Sequence, residues 1–600
     1  TYIWSLLVGC VAFATSCDLT ENVQVKADKS MIFGSKSGLE LYSNSFYKAL
    51  PTLKNGFMQD KMCDVGAVSN TDTFIKEGAY NTETATSWSW GALKNVNYFI
   101  DGCNDPKYCT VEAETRDNYL GIARWFRAWF YYDKLTTYGE VPWFPNDIQS
   151  YQNDVMYKDR DSRDVIIRNL IADLDFAYEH IQATSSTGSA TLTRWAAAAL
   201  KSRVCLFEAA YRRYHNLTGL EITPEELYRE AAKAAKLVID NSGCSLNTAA
   251  GKKGAYRDLF YSETPLTQEV ILAVCANEKS GIFGEQNWWF NARSYGLCWS
   301  LVRSFVHTYL KQDGTPFTAA ADYAVKSFAE EMEGRDLRLE QTVRGRNFLW
   351  DGKTAVADIK NLSLTGYQVI KYTLDESKYD GGAKNINSIP LIRYAEVLLN
   401  YAEAQAELGV ITDSEWALTV GALRKRAGIT GGTETLPTTV DSYLQRTFYP
   451  DVTSPVLLEI RRERAIELVA EGMRFDDLRR WKCGSLMETL PWSGIHIPGL
   501  EQSVDVNGDG VNDYYFTEGE VASAPAAYKN IAVRVNQDGV GLYAEANPVS
   551  GYDLVYKTGA GDRYWYPDGR QYLYPIPAKV IRDYRNAGYT ISQNPEWDNE

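Results

Sequence analysis

Histidine is scarce in this chain, and so are the catalytic motifs that depend on it. The 600 residues include four histidines, which lie far apart in the sequence: His180, His215, His307 and His496. The sequence has no G-x-S-x-G nucleophile elbow, no H-E-x-x-H zinc motif and no P-loop. Histidine-based acid–base catalysis is therefore poorly supplied.

Positive charge and long apolar runs are also lacking. The chain has 62 Lys and Arg against 77 Asp and Glu, a net charge of −15 at pH 7. Nucleic-acid binding depends on neutralising phosphates with Lys and Arg, so this balance argues against it. After the N-terminal region no segment reaches the roughly 18 continuous apolar residues that cross a bilayer. With 45% hydrophobic and 23% charged residues, the chain is predicted to be globular.

The N-terminus predicts a secreted, lipid-anchored protein. Residues 2–16 form an apolar run that is too short for a transmembrane helix but typical of a signal peptide. The following Ala14-Thr15-Ser16-Cys17 resembles a bacterial lipobox, with Ala14 and Ser16 in place of the commoner Leu and Gly or Ala. We therefore expect residues 1–16 to be removed and Cys17 to be lipidated; a buried N-terminal strand is the alternative.

The ten cysteines show no C-x-x-C pair, so zinc and iron–sulfur sites have no support. Cys103 and Cys109 lie close together in a loop rich in Gly, Asn, Asp and Pro. In an oxidising compartment these two are close enough in sequence to form a disulfide.

Amphipathic helices dominate the periodic segments. Ser454 and Pro455 begin one helix, Gly472 is its expected stop, and the pattern keeps its Glu and Arg side chains exposed or paired. These charged positions are Glu459, Arg462, Glu463 and Glu467. A second segment, residues 115–138, has two adjacent apolar stripes that include Trp129 and Tyr132, which predicts a helix buried on a wide face.

Two further features are typical of packed helical hairpins. Thr223 and Glu226 form the pattern of a capping box, and so do Thr412 and Glu415. The apolar segment after residue 390 carries a single polar stripe: Glu396, Asn400, Glu403 and Glu407. Helices of this kind bury their faces on one another, so periodicity alone predicts helical hairpins.

Several of these segments together resemble the SusD/RagB family of surface lipoproteins, which capture nutrients beside a TonB-dependent outer-membrane transporter. The resemblance begins at the lipobox and ends with Tyr574-Pro575-Ile576-Pro577 and Gln593-Asn594-Pro595. Between them it rests on ERAIELVAEGMRFDDLRRWK, RYAEVLLNYAEA and RKRAG, and on eight positions near the second helix: Arg124, Phe126, Arg127, Ala128, Tyr138, Gly139, Val141 and Pro142.

The resemblance implies a mostly α fold, a stack of TPR-like helical hairpins with long loop and short-strand excursions that carry the ligand site. It predicts a single domain over residues 17–600. The helical scaffold covers about 40–245 and 386–483, loop-rich excursions cover 246–385 and 484–572, and a tail covers 573–600. The implied location is the outer membrane, lipid-anchored and exposed at the cell surface.

Aromatic residues make up 13% of the chain, with 40 Tyr and 16 Trp, and flat amphipathic rings commonly grip sugars or peptides. One cluster joins such rings to amide and guanidinium donors, as a glycan site requires; its members are Asn287, Trp288, Trp289, Arg293, Tyr295 and Trp299. A second group contains Tyr80 and Trp88. A Tyr-rich core and surface is the alternative interpretation of any one ring.

Residues 505–513 match the first half of an EF-hand calcium loop, with oxygen side chains at alternate positions and Gly at the turn. Phe516 stands where the bidentate Glu of an EF-hand would be. The predicted ligands of a structural calcium ion are the side chains of Asp505, Asn507, Asp509 and Asp513 and the carbonyl of Val511. A Gly/Asp hairpin turn without metal is the alternative.

The resemblance implies a non-enzymatic lipoprotein that binds oligosaccharide or polysaccharide and passes it to a SusC-like TonB-dependent transporter. A RagB-like peptide-binding lipoprotein is the first alternative. The second is a surface glycoside hydrolase, because that reaction needs only two carboxylates and these can come from anywhere in the chain.

Overall fold

The computed structural model describes residues 29–53, 58–291, 298–557 and 563–598. The predicted signal peptide and the lipidation site Cys17 lie outside the described residues. No described helix combines the length and the apolar character that crossing a membrane would require.

Helices account for most of the regular structure. The described residues form twenty-one α-helices: α1 (Lys29–Phe33), α2 (Lys36–Ser43), α3 (Gly91–Asn104), α4 (Ala113–Tyr138), α5 (Asn153–Met156), α6 (Arg163–His180), α7 (Arg194–Tyr214), α8 (Pro224–Asn241), α9 (Ala255–Tyr261), α10 (Gln286–Asn291), α11 (Arg303–Val306), α12 (Phe328–Met332), α13 (Arg338–Thr342), α14 (Tyr394–Glu407), α15 (Asp413–Leu418), α16 (Val420–Arg426), α17 (Ser442–Phe448), α18 (Pro455–Glu467), α19 (Arg474–Arg480), α20 (Leu486–Thr489) and α21 (Ala578–Asn586). The mostly α fold class is confirmed.

The long helices pack in a continuous series. α3 lies against α4, α4 against α6, α6 against α7, α7 against α8, α8 against α14, and α14 against α18. α7 lies inside this series, and every residue from Trp195 to Arg212 is buried. Four consecutive alanines, Ala196 to Ala199, allow its neighbours to approach closely. The predicted stack of helical hairpins therefore forms one side of the molecule.

Both predicted capping boxes are present. The Thr223 hydroxyl accepts the Glu226 N–H, and the Glu226 carboxylate accepts the Thr223 N–H in return. Thr412 and Glu415 make the same exchange at the start of α15. These local signals correctly mark where the helices begin, because capping depends on a few neighbouring residues.

Short strands lie mainly in the two predicted excursions. They are β1 (Gly66–Ala67), β2 (Val270–Val274), β3 (Ser300–Leu301), β4 (Leu349–Trp350), β5 (Lys353–Thr354), β6 (Ile389–Arg393), β7 (Ser493–Ile497), β8 (Gln502–Val504), β9 (Tyr514–Thr517), β10 (Ala532–Arg534), β11 (Leu542–Ala546) and β12 (Tyr552–Tyr556). They pair in the orders β1-β3, β2-β6, β4-β5, β10-β9-β8 and β11-β12-β7. β10 runs parallel to β9, and the other pairs are antiparallel.

Two large apolar clusters fill the interior. The first joins the stacked helices and contains Trp125 and Phe126. The second lies among the excursions and contains Tyr372 and Ile495. Phe126 and Tyr372 also line one cleft, so the cleft lies where the two clusters meet.

The structure corrects the prediction for α18 in two respects. The Ser454 hydroxyl caps the helix as expected, but the helix ends at Glu467, before Gly472, and Ala470 already has a φ of +64°. The charged positions expected to be exposed or paired are paired but buried, with Glu459, Arg462, Glu463 and Glu467 between 0% and 8% exposed. Periodicity does not reveal that further elements, including α13 and β6, supply arginines that cover the polar face.

Candidate functional site

A cleft of about 580 Å3 is lined almost entirely by the helical scaffold, to which the first excursion adds Tyr372. Its volume falls within the roughly 300–1,000 Å3 that small-molecule sites occupy. Helix α4 forms one wall, and β6 and the segment between α18 and α19 form the opposite side. The lining includes Trp129, Phe130, Tyr132, Asp133, Thr136, Arg203, Tyr372, Leu391, Glu471 and Asp476.

Aromatic side chains of α4 form the apolar wall of the cleft. Trp129, Phe130 and Tyr132 are half-buried, so each presents part of its ring to solvent. The Trp129 ring stacks on the fully buried Trp125 with centroids 5.3 Å apart and an interplanar angle of 12°. Trp125 is in turn fixed by a 3.1 Å hydrogen bond from its indole N–H to the Ala196 carbonyl. These contacts fix the orientation of the Trp129 ring in the wall.

The aromatic wall continues out of the cleft through Phe130. Its centroid lies 5.5 Å from that of Trp90, and Trp90 lies 5.3 Å from Trp88. Trp88 packs on Tyr138, whose hydroxyl donates a 2.7 Å hydrogen bond to the Ser87 carbonyl. We call Trp88, Trp90, Phe130 and Trp129 the aromatic strip. It offers a run of half-buried rings from the surface into the cleft.

Carboxylates stand beside these rings. Asp133 follows Tyr132 on α4, Asp476 lies on α19, and Glu471 lies between α18 and α19. The walls of the cleft surround the Asp133 carboxyl and raise its pKa by desolvation, although its side chain is 63% exposed through the opening. Carboxylate oxygens beside aromatic faces can accept hydroxyl hydrogens while the rings pack on C–H groups.

Only part of the predicted Trp288 cluster lies at the surface. Trp288 and Trp289 are half-buried on α10, with their rings T-shaped and 4.8 Å apart. Trp289 packs on the second apolar cluster, whereas the aromatic strip lies on the first. Arg293 and Tyr295 lie outside the described residues.

Two of the predicted ligand contacts, Asn287 and Trp299, are buried in the structure. Asn287 is 0% exposed and Trp299 is 3% exposed. The Asn287 amide donates to the Leu374 carbonyl at 2.8 Å, and its oxygen accepts the Leu374 N–H at 2.7 Å. Trp299 lies against Gly66, where an added Cβ would come within 2.5 Å of the indole. Both side chains hold the fold together because they tie separate loops to one another.

The second predicted group divides in two. Trp88 belongs to the aromatic strip. Tyr80 is half-buried and makes edge contacts with Phe74, Tyr574 and Trp597, at centroid distances of 5.1 to 6.4 Å. Tyr80 therefore packs mainly against the C-terminal tail.

Sequence reasoning missed most of the cleft. Trp129 and Tyr132 belong to the stripes predicted to be buried, but the structure leaves them half-buried beside Asp133. The sequence contains one signal for the cleft, because the wide apolar face of α4 is followed directly by the acidic residue Asp133. The partners Glu471 and Asp476 come from a segment more than 300 residues away, which no local pattern identifies.

The predicted calcium loop connects β8 to β9. The Asp505 carboxylate accepts the Gly508 and Gly510 N–H groups, each at 2.7 Å, and the Asp509 carboxylate accepts the Val511 N–H at 2.8 Å. Burial, followed by the nearby charges of Asp509 and Asp505, raises the pKa of Asp513. Within the described ranges no group of three or more His, Cys, Asp or Glu is arranged to hold a metal ion.

The predicted disulfide is not formed. Cys103 is a buried free thiol and Cys109 a half-buried one. The two side chains nevertheless interact: burial, and then the charge of Cys109, raises the pKa of Cys103.

Comparisons with known proteins complete the description. A family model described as the SusD family matches residues 268–597, more than half of the chain. A SusD-like protein from Bacteroides fragilis NCTC 9343 is 21% identical with a TM-score of 0.64, over 95% of this chain and 98% of that chain. A SusD-like carbohydrate-binding protein from the same organism is 19% identical with a TM-score of 0.66, over 93% and 99%. Among curated proteins none matches this sequence. At these identities the solved structures establish the fold.

Proposed function

Since the chain belongs to the SusD family, we propose that it binds oligosaccharide or polysaccharide at the cell surface without hydrolysing it. The ligand site in this proposal is the aromatic strip together with the cleft into which it leads. The protein then passes its ligand to a SusC-like TonB-dependent transporter in the outer membrane. Lipidation at Cys17 holds it at that membrane.

The observation that supports the proposal most strongly is the continuity of the strip with the carboxylates of the cleft. A sugar ring has apolar C–H faces and a rim of hydroxyl groups, so it needs flat rings and hydrogen-bond acceptors side by side. Trp90 and Phe130 supply rings 5.5 Å apart, and Asp133 stands three residues from Phe130 on the same helix. A solved SusD-like structure described as carbohydrate-binding lends further support.

The proposal is tested by affinity electrophoresis of the mature protein in gels that contain plant, bacterial or host polysaccharides. At least one polysaccharide is expected to retard the protein. Replacing Trp90 and Phe130 together by Ala is expected to weaken that binding about tenfold or more, because buried aromatic anchors carry most of the energy of an interface. The melting temperature of each variant shows whether it is folded.

The pair Trp288→Ala with Trp289→Ala is the matched comparison. It removes two half-buried rings from the other apolar cluster, so it tests the predicted Trp288 site directly. If this pair abolishes retardation while the Trp90 and Phe130 pair does not, the ligand site is at α10.

The same samples distinguish the alternatives. Release of reducing ends from a bound glycan would identify a surface glycoside hydrolase and overturn the claim of binding without turnover. Binding to a peptide panel with no binding to any glycan would identify a RagB-like peptide-binding protein.

We also propose that residues 505–513 bind a structural calcium ion through the side chains of Asp505, Asn507, Asp509 and Asp513 and the Val511 carbonyl. The residue types support the proposal, because hard cations prefer carboxylate and carbonyl oxygens. The environment of Asp513 also supports it, since the charges of Asp509 and Asp505 contribute to the raised pKa of that carboxyl and a divalent cation would offset them. Such an ion would hold the β8–β9 connection in place.

A further inference from the structure

We infer that the cleft selects sugars that are uncharged or carry amino groups, and that it discriminates against sugars carrying carboxylate or sulfate groups. The inference rests on the proposed function and names the chemical class of its ligand. The inference follows from the ion pairs around the cleft, in which the carboxylate is more exposed than the cation.

Asp133 shows the arrangement most clearly. Its side chain is 63% exposed, whereas the neighbouring Lys134 is 7% exposed with Nζ 3.8 Å from the Asp133 carboxylate. Lys134 Nζ donates to the Ser87 carbonyl at 3.4 Å and lies 5.3 Å above the Phe130 ring. The negative end of this pair therefore faces the ligand, and the positive end lies behind the aromatic strip.

Asp476 repeats the pattern less strongly, with a side chain 22% exposed, whereas the Glu471 side chain is only 6% exposed and forms part of the cleft wall. The Glu471 carboxylate accepts hydrogen bonds of 2.7 Å from Lys371 and Arg393, whose side chains are 0% and 2% exposed. The Asp476 carboxylate pairs with Arg479 at 2.5 Å, and that arginine is 4% exposed and also donates to the Thr136 carbonyl. In both cases the cations stand behind the cleft wall.

Arg203 is the one cation among the described lining residues, and it is already engaged. Its guanidinium makes a two-point contact with Glu396 at 2.6 and 2.7 Å and also donates to the Leu391 carbonyl at 2.8 Å. An anionic sugar that used the Nε or Nη2 hydrogens of Arg203 would have to break this buried pair. Breaking it would leave the Glu396 carboxylate buried without its charge partner, which is strongly unfavourable.

The consequence for a ligand follows from charge. Sugar hydroxyl and ammonium groups donate hydrogen bonds to carboxylates, so neutral sugars and amino sugars suit Asp133 and Asp476, the two carboxylates with exposed side chains. A uronic acid or sulfate ester would place like charge beside Asp133 or Asp476, and like-charge contacts at an interface are strongly unfavourable. We expect an acidic sugar to bind at least about tenfold more weakly than its uncharged counterpart.

The test uses pairs of glycans that share a backbone and differ only in charge. The probes are oligogalacturonides with their methyl esters, dextran with dextran sulfate, and cellotetraose with the matching glucosamine tetramer. Binding is followed by saturation-transfer NMR, which detects weak ligands, with the mature protein in low-salt buffer. In the first two pairs the uncharged member is expected to bind more tightly than the acidic one, and in the third pair the glucosamine tetramer is expected to bind at least as tightly as cellotetraose.

Asp133→Asn keeps the shape of the most exposed carboxylate and removes its charge. It is expected to reduce the neutral-to-acidic affinity ratio several-fold while the protein stays folded. Asp117→Asn, on the same helix about 24 Å along its axis, is the control and should leave the ratio unchanged.

The outcomes separate the inference from its premise. Tighter binding of the acidic member of a pair, or an affinity ratio unaffected by Asp133→Asn, overturns the inference and leaves glycan binding intact. Failure of these probes and of every polysaccharide in the electrophoresis panel to bind overturns the proposed function, and the inference with it; where another polysaccharide retards the protein, its neutral and sulfated forms make the pair.

Discussion

Glu467 and Arg393 form a 2.6 Å ion pair in the interior of the protein, with side chains 0% and 2% exposed. The Glu467 carboxylate also lies 2.7 Å from a guanidinium nitrogen of Arg338 and contacts Arg426. Three arginines from α13, β6 and α16 thus converge on one carboxylate of α18, and their charges hold its pKa well below the usual range despite burial. The family motif that contains Glu467 therefore contributes to an ionic core.

Replacing Glu467 by Ala is expected to lower the free energy of unfolding by about 3–5 kcal/mol. The reason is that removing one partner of a buried pair leaves uncompensated charge in the interior. The measurement is urea denaturation at constant pH, because urea does not screen charges. Glu434→Ala is the control, since Glu434 pairs with Lys425 at 2.6 Å with both side chains exposed, and a loss of at most about 1 kcal/mol is expected. Equal losses in the two variants would contradict an ionic core.

How far the sequence predicts this core is clear from α14. The polar stripe on an apolar helix was visible in the sequence, and the structure gives each member an arginine partner. Glu396 pairs with Arg203, Asn400 with Arg464, Glu403 with Arg480 and Glu407 with Arg213. The stripe, the caps and the helical hairpins follow from local spacing, and the stacking of the hairpins is implied by the family resemblance. The partners do not, because they come from α7, α18 and α19, and spacing along one helix carries no information about what covers it.

Asp60 is expected to make stability depend on pH. Burial raises the pKa of this carboxyl from 3.8 to about 7, although the Gly472 N–H donates to it at 2.7 Å. Between these values the native protein keeps a proton that the unfolded chain has lost, so stability falls as pH rises from about 4 to about 7. Asp60→Asn removes the ionisation and is expected to be more stable than the parent at pH 8 by on the order of 2–4 kcal/mol, with little difference at pH 4.

Urea denaturation of both proteins at several pH values checks this difference, and the contributions of other groups cancel between them. Asp538→Asn serves as control, because it removes the same charge from an exposed position and should change stability by less than about 0.5 kcal/mol. A constant difference between Asp60→Asn and the parent from pH 4 to 8 would refute a raised pKa at Asp60.

Gly66→Ala tests whether Trp299 belongs to the core. An added Cβ at Gly66 would lie 2.5 Å from the indole of Trp299, which is 3% exposed and has no room to retreat. Overpacking of this kind costs about 1–3 kcal/mol. Gly91→Ala is the control, because no atom lies within 4 Å of a Cβ at the start of α3. If the melting temperature falls equally little in both variants, Trp299 is a mobile surface side chain.

The site is less predictable than the fold, for a physical reason. Trp129 and Tyr132 have the spacing of core residues, and α4 does bury most of that face. Whether the edge of this α4 face packs against another element or lines a cleft depends on the segment that contains Glu471 and Asp476. That segment is more than 300 residues away in the sequence. Aromatic density alone favoured the Trp288 cluster, yet Trp299 and Asn287 of that cluster are buried. Composition shows that the chain is rich in the side chains that bind sugar. Which of these aromatic residues face solvent depends on the tertiary structure.

The calcium proposal predicts that EGTA lowers the melting temperature of the parent protein and leaves that of Asp509→Ala unchanged. A ligand that binds only the native state stabilises it by about 2.7 kcal/mol at a hundred times its Kd, and the chelator removes that contribution. Asp509 is the variant of choice because, among the described residues, its carboxylate accepts the Val511 N–H at 2.8 Å and an amide hydrogen of Asn507 at 3.2 Å, both within the same loop. Asp538→Ala, at an exposed position outside residues 505–513, should respond to EGTA as the parent does.

Differential scanning fluorimetry with EGTA, and then with excess calcium, measures all three proteins. An identical EGTA response in Asp509→Ala and the parent would show that the loop is a hairpin turn without metal.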